Sequence, residues 1–262
     1  MFVDSHCHLD KINPEKAGAQ LKDIINKARA NKVEHMLCVC VTLEDFPAMQ
    51  AAVAEFEDVS ISCGVHPLYV KDSQTPIAEL SIKLRELASA DHVVAVGETG
   101  LDYFYHPESK TLQRENFEQH IEIASDINKP LIIHTRDAQD DTLSLLRNGH
   151  AEKPGGVLHC FTESLEMAKK AIDDLDFYIS ISGIASFRNA QQLRDTIKAL
   201  PLEKLLIETD SPWLAPVPHR GKENQPAYVV DVAKCVADVK GVTLEEVAKT
   251  TTANYYKLFS NS

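Results

Sequence analysis

Residues 2–8 read FVDSHCH, an apolar opening that turns polar and ends on His6 and His8, two positions apart. In extended chain, residues i and i+2 face the same way, so these two imidazoles can share a metal ion while Cys7 points away. The same form, a short apolar run closed by a chemically active side chain, recurs along the chain. Strands are expected over Phe2 to Ser5, Val33 to Val41, Val59 to Val65, Val93 to Val96, Leu131 to Ile133, Val157 to Leu158, Phe177 to Ser182 and Leu205 to Ile207. Between them lie stretches of helical spacing, such as Phe117, Ile121 and Ala124 at i, i+4 and i+7, which must end before Pro130.

Eight strands with intervening helices in 262 residues predict an α/β fold, the TIM (β/α)8 barrel, whose active sites gather at the C-terminal ends of the strands. The rival, a doubly wound open sheet, lacks its Gly-rich phosphate loop after the first strand. No Gly/Ser linker, charge block or low-complexity tract interrupts the chain, so one domain over residues 1–262 is expected.

What ends each strand is then the informative question, because the barrel brings those positions to one mouth. Glu98 follows the fourth strand, His134 the fifth, His159 the sixth and Asp210 the eighth. Val94, Val96 and Glu98 share parity, as do Leu206, Glu208 and Asp210, which puts apolar residues deep in the barrel and carboxylates at its rim. Four imidazoles and two carboxylates exceed what one tetrahedral ion with an open position needs; they suit two ions sharing a bridge. Glu98 is the expected bridge, with His6, His8 and Asp210 on one ion and His134 and His159 on the other. A lone histidine at a strand end is ordinarily a hydrogen-bonded structural residue, and His35, His92, His106, His120 and His150 are so read. Glu208 and Asp4 are expected to stand behind the ligands, accepting a ligand histidine's free N–H.

Substrate contacts are expected from His66 after the third strand, from Arg136 and Arg188, and from His219, Arg220 and Lys222 in the segment PHRGKENQP. An Arg fork suits a phosphate there. Trp213 could stack a base, although packing beneath a loop is the favoured reading.

Composition narrows the function classes. With 27 basic against 39 acidic residues, a net charge of −12, the surface repels polyanions and acidic membranes. A phosphate substrate therefore needs local positive charge from Arg, Lys or a bound metal. Neither a basic and apolar leader nor a bilayer-length apolar run occurs, so a cytoplasmic protein is expected. The six cysteines form no CxxC pair and are read as reduced, non-catalytic thiols.

Several blocks carry a resemblance: VDSHCHLD (3–10), GVHP (64–67), GETGLDY (97–103), PLIIHTRDA (130–138), GGVLHCFTES (155–164), SGIASFRN (182–189) and IETDSPWLAPVPHRGKENQP (207–226). Nearly the whole chain resembles the TatD family of metal-dependent deoxyribonucleases and hydrolases, in its YcfH-like branch. The resemblance implies a TIM barrel of the metallo-dependent hydrolase type, with divalent metals at His6, His8, Glu98, His134, His159 and Asp210. It also implies hydrolysis of DNA phosphodiesters, expected at ends or single strands. Related amidohydrolases bridge their metals with a carboxylated lysine; here Glu98 holds that strand end.

The expected cofactors are two divalent cations. Imidazole-rich ligation favours Zn, Mn, Co or Ni, whereas the family's nucleases are associated with Mg, so Mg or Mn are the expected working ions. Two such ions, less Glu98, Asp210 and a hydroxide, leave the centre at about +1, enough to attract a phosphodiester. Asp210 is expected to orient the attacking water and take its proton. The alternative reading is hydrolysis of a small amide, ester or phosphoester by the same metals; a third is a metal-loaded scaffold without turnover. No membrane or protein partner is implied.

Overall fold

Each of the eight apolar runs expected as strands overlaps one, and the strands pair in chain order in one sheet. They are β1 (Phe2–Cys7), β2 (Val33–Cys38), β3 (Val59–Cys63), β4 (Val93–Asp102), β5 (Leu131–Arg136), β6 (Gly156–Leu158), β7 (Tyr178–Ile181) and β8 (Leu205–Ile207). The computed structural model describes residues 1–73 and 76–259. Neighbouring strands run parallel throughout. The seam between β8 and β1 is closed beyond the regular ladder: Asp210 N–H donates to His6 O at 3.0 Å, and His8 N–H to Ser211 O at 2.8 Å. Lower in the seam, Ser5 Oγ donates to Ile207 O at 3.0 Å. These contacts complete the barrel that the alternation of strand and helix predicts.

Parallel strands need crossovers, and helices supply them. In order they are α1 (Pro14–Ala17), α2 (Leu21–Ala30), α3 (Phe46–Val53), α4 (Ile77–Ala88), α5 (Lys110–Ile127), α6 (Gln139–Asn148), α7 (Leu165–Leu175), α8 (Gln191–Ala199), α9 (Val229–Lys240) and α10 (Leu244–Phe259). In α5 the periodic residues Phe117, Ile121 and Ala124 are all buried. Burying the Phe117 ring alone is worth about 1.5–3 kcal/mol. The helix stops at Asn128, in the left-handed conformation (φ 53°), two residues before Pro130. At α7 the Ser164 hydroxyl caps the helix by accepting from Met167 N–H. Among the described residues no helix is long and apolar enough to cross a membrane.

Two apolar layers result. Between sheet and helices lies the larger one, with Ile25, Met36, Phe117, Leu131, Ile133 and Ile179. Inside the barrel Val3, Leu37, Val39, Ala95, Ile132, Val157 and Leu206 pack together with Tyr255 and Phe259 of α10. Thr252 of α10 donates to Met1 O, which places this plug at the N-terminal ends of the strands. Water is thus excluded from one end of the barrel, and polar side chains are left to the other.

Strand parity changes where the sequence reading keeps it constant. Val96 pairs with Leu131 and Thr99 with Ile133, so β4 carries one residue more than β5 over that step, a bulge. Val94 packs against the inner cluster and Val96 lies in the outer layer. The extra residue then returns Glu98 to the interior. The expected common face of Val94, Val96 and Glu98 is therefore corrected, whereas Leu206 and Glu208 both point inward on β8. A similar extra residue lies between Asp4 and Cys7 in β1. Just beyond the β4 bulge, a Cβ on Gly100 would stand 2.0 Å from His134 O, and its φ of +131° disfavours any other residue. That glycine lets β4 lie directly against the His134 strand.

Candidate metal centre

The two oxygens of Glu98 look in different directions, and each meets its own set of donors. Oε2 stands 3.3 Å from His6 Nε2 and 3.7 Å from His8 Nε2. Those nitrogens are 3.1 Å from each other and 3.8 and 3.5 Å, respectively, from Asp210 Oδ1. Oε1 stands 2.7 Å from His159 Nε2 and 3.5 Å from His134 Nδ1. Donors bound about 2.0–2.2 Å from one ion lie roughly 3–3.6 Å from one another. Both sets match this within a few tenths of an ångström. Side chains from β1, β4, β5 and the ends of β6 and β8, remote in sequence, thus converge on one buried point.

Hydrogen bonds behind the rings fix which nitrogen offers a lone pair. His8 Nδ1–H donates to Val39 O at 2.8 Å, leaving Nε2 as the free base. His159 Nδ1–H donates to Glu208 Oε1 at 3.3 Å, and His134 Nε2–H to Asp102 Oδ2 at 3.0 Å. When these rings are neutral, as metal binding requires, the inward nitrogens of all three present lone pairs beside carboxylate oxygens. His159 Nε2 is buried and makes no hydrogen bond despite lying 2.7 Å from Glu98. Two lone pairs at that distance repel unless a cation sits between them. A proton would relieve one such pair; metal ions relieve the whole set, and the donors present fit them.

The carboxylates demand positive charge here: against the effect of burial, Asp210 and Glu98 raise His8, Asp102 and Glu98 raise His134, and Glu98 and Glu208 raise His159 well above the usual imidazole range, so that without a cation protons take its place. Burial opposes ionisation of Glu98, but His159, His66 and His134 outweigh it and hold the carboxyl well below its usual range. Asp210, also buried, is held low by His8, His6 and His159. Both carboxylates are charged at neutral pH. Burial lowers His6, with His159 adding to the effect.

The supporting residues divide. Glu208, fully buried, accepts from His159 as expected and also from Cys160 N–H at 2.8 Å. Asp4 does not receive a ring N–H. Its carboxylate accepts from Thr209 N–H at 2.8 Å and Thr209 Oγ1 at 2.6 Å, so it anchors the strand end that carries Asp210 rather than a histidine. The residue missed by sequence reading is Asp102, the partner of His134. It lies in the GETGLDY block, four residues beyond Glu98 on the same strand, and the extension of β4 past Val96 is what delivers it.

His66 reaches Glu98 Oε1 at 3.2 Å through Nε2, so distance alone would make it a third donor on that side. Its tautomer argues otherwise. Leu68 N–H donates to His66 Nδ1 at 3.1 Å, and burial keeps the ring neutral, so Nε2 carries the proton. His66 presents an N–H to the centre, not a lone pair.

Above these groups lies a cavity of 480 Å³ whose wall includes His66, Arg136 and three aromatic side chains, Tyr69, Tyr105 and Trp213. The aromatics are exposed by 42%, 61% and 49% respectively. Phe104 stands edge-on to Tyr105 and under the Arg136 guanidinium, extending the aromatic rim. Trp213 does not pack beneath a loop; it is one wall of the mouth.

Four expected substrate contacts lie elsewhere. Arg188 is exposed and outside the cavity. His219 stacks on Tyr228 at 3.6 Å and pairs with Asp231 at 3.0 Å. Arg220 lies 3.8 Å over the Phe187 ring and donates to Ala215 O. The loop after β8 folds back on α9, and these two side chains are spent in holding it. Lys222 lines a neighbouring hollow.

Comparison with known proteins agrees with this architecture. Residues 3–260 match the family model described as TatD related DNase. The chain is 53% identical over 258 residues to the uncharacterized metal-dependent hydrolase YcfH of Escherichia coli K12, covering 98% of this chain and 95% of that one. It is 38% identical to the uncharacterized metal-dependent hydrolase YabD of Bacillus subtilis, covering 99% of each. Among solved structures, the TatD homologue YJJV of Escherichia coli superposes with a TM-score of 0.88 at 26% identity, over 99% of this chain and 98% of that one. The barrel, the paired donor sets at its mouth and a match along nearly the full length establish that this chain belongs to the TatD-related DNase family of metal-dependent hydrolases.

Proposed function

We propose that the protein hydrolyses phosphodiester bonds in DNA, at single strands or frayed ends, with two divalent cations held by His6, His8, Glu98, His134, His159 and Asp210. The observation that carries this reading is the divided carboxylate of Glu98, one oxygen in each donor set. When bound, such cations would lower the pKa of a water to about 7 and neutralise charge on the phosphoryl oxygens. Asp210, kept ionised by the surrounding imidazoles, orients the attacking water and accepts its proton. His66 directs an N–H into the site, where it can meet a phosphoryl oxygen. Arg136, stacked on Phe104, supplies a guanidinium fork on the cavity wall.

The aromatic rim supports a single-stranded substrate. Unpaired bases stack on exposed rings, whereas the bases of a duplex are already stacked on one another. A net charge of −12 disfavours a long duplex track. A small amide or ester is the competing substrate, since 480 Å³ lies within the range of small-molecule sites.

Elemental analysis, followed by incubation of metal-stripped and reloaded protein with end-labelled single- and double-stranded DNA, RNA and a small amide panel, tests the reading. Mg, Mn, Zn, Co and Ni are supplied separately. Cleavage of DNA with solvent oxygen entering the phosphate product is the expected result; turnover confined to amides overturns it.

A further inference from the structure

Beside the metal centre lies a second hollow, 740 Å³ in volume, and Trp213 is a wall of both. It is built from the segment immediately after β1 and the loop after β8, the two strand ends that carry His8 and Asp210. Its lining places Lys11, Lys16 and Lys222 against one carboxylate, Glu223. In a chain of net charge −12 this lining holds an excess of basic side chains. Lys11 is paired with Asp45 at 2.8 Å and Asp10 at 3.2 Å, so Lys16 and Lys222 carry the field.

The walls are fixed. Glu223 Oε1 accepts from Asn13 N–H at 2.8 Å, which joins the two segments. Asn224, fully buried, donates through Nδ2 to Thr209 O at 2.7 Å and Trp213 O at 2.6 Å. These bonds anchor the Trp213 backbone, and its indole stands edge-on to His8, with ring centroids 5.2 Å apart, while 49% exposed. A clamped, half-exposed aromatic between a cationic hollow and a metal centre has the parts that a single strand needs: a platform for a base and cations for its backbone.

We infer that this hollow is a subsite for the nucleotides flanking the scissile bond of a single-stranded nucleic acid, with a base stacked on Trp213 and backbone phosphates at Lys16 and Lys222. The inference rests on the phosphodiesterase reading of the metal centre.

Trp213 is the only tryptophan, so its fluorescence reports on the subsite directly. Metal-loaded protein is titrated with a phosphorothioate pentathymidylate, which resists cleavage, at several salt concentrations. Saturable quenching is expected. Replacing both lysines (Lys16→Ala with Lys222→Ala) raises Kd about tenfold and lowers the slope of log Kd against log salt by about 1.4, that is, about 0.7 per lost phosphate contact. Absence of quenching, a wild-type Kd and slope in the double variant, or equal displacement by polyglutamate overturns the subsite. Hydrolysis of bis(p-nitrophenyl) phosphate, which needs no flanking nucleotide, tests the metal centre separately. If that hydrolysis is absent while quenching and its lysine dependence stand, the phosphodiesterase reading falls and the subsite remains as a strand-binding site. If hydrolysis occurs without quenching, the subsite alone falls.

Discussion

Replacing His120 by Gln tests how the fold holds the edge of the metal centre. His120 is wholly buried on α5; its Nε2 accepts from Val65 N–H at 3.0 Å and its Nδ1–H donates to Asn116 O at 2.7 Å. Asn116 Nδ2 in turn donates to Val65 O at 3.0 Å, so both polar groups of the residue before His66 are clamped. Burial, opposed only by the Asn116 bond, pushes the imidazole from 6.5 down to about 4. Protonation would also convert the acceptor of Val65 N–H into a donor. The folded protein thus takes up this proton less readily than the unfolded chain. Its contribution to stability is complete above the unfolded pKa and is lost as pH falls from about 6.5 towards about 4. Between pH 7 and pH 5 the loss is about 2 kcal/mol. His120→Gln retains a donor and an acceptor but cannot titrate. Urea unfolding of both proteins at the two pH values, in chelator so that the other histidines contribute alike, should show the wild type losing about 2 kcal/mol more than the variant. Equal losses would refute the buried neutral imidazole.

Further outcomes follow from the same geometry. Glu98→Gln or His134→Ala should leave a folded barrel by circular dichroism, with less bound metal by elemental analysis. Either should lose more activity than the about 10- to 100-fold typical of removing an outer partner. Asp102→Asn, which keeps the shape beside His134 but removes the charge, should weaken metal binding about 10- to 100-fold in a chelator competition. Arg220→Ala should lower Tm by about 2 °C, for a loss of about 1 kcal/mol, while KM for any substrate stays unchanged. A raised KM would return Arg220 to the substrate.

The candidate donors were legible because each ends an apolar run, and a barrel sends all such ends to one mouth. His6 and His8 needed only the two-residue period of a strand, and Glu208 the same period from Leu206. Parity failed on β4, where one inserted residue between Val96 and Thr99 turns Glu98 inward. Composition carries no signal for a bulge. Asp102 escaped notice because the strand was expected to stop at Val96, yet ladder bonds are made by backbone and continue through polar residues. His219 and Arg220 read as substrate contacts by residue type alone, and only the fold of their loop shows that Tyr228, Asp231 and Phe187 already occupy them.

Order along the chain, the alternation of strand and helix and the identity of the candidate metal donors are local properties, written in residues that are neighbours or nearly so. The assignment of the two Glu98 oxygens to different donor sets, the proton on His66 Nε2 and the exposure of Trp213 between two hollows are not. Each depends on a partner far away in sequence, such as His159 for Glu98, or on how one turn or loop folds, such as Leu68 N–H for His66 and Asn224 for the Trp213 loop. Hydrogen-bond direction and lone-pair orientation are settled only when those groups meet, which is why the chemistry of the centre is decided in three dimensions.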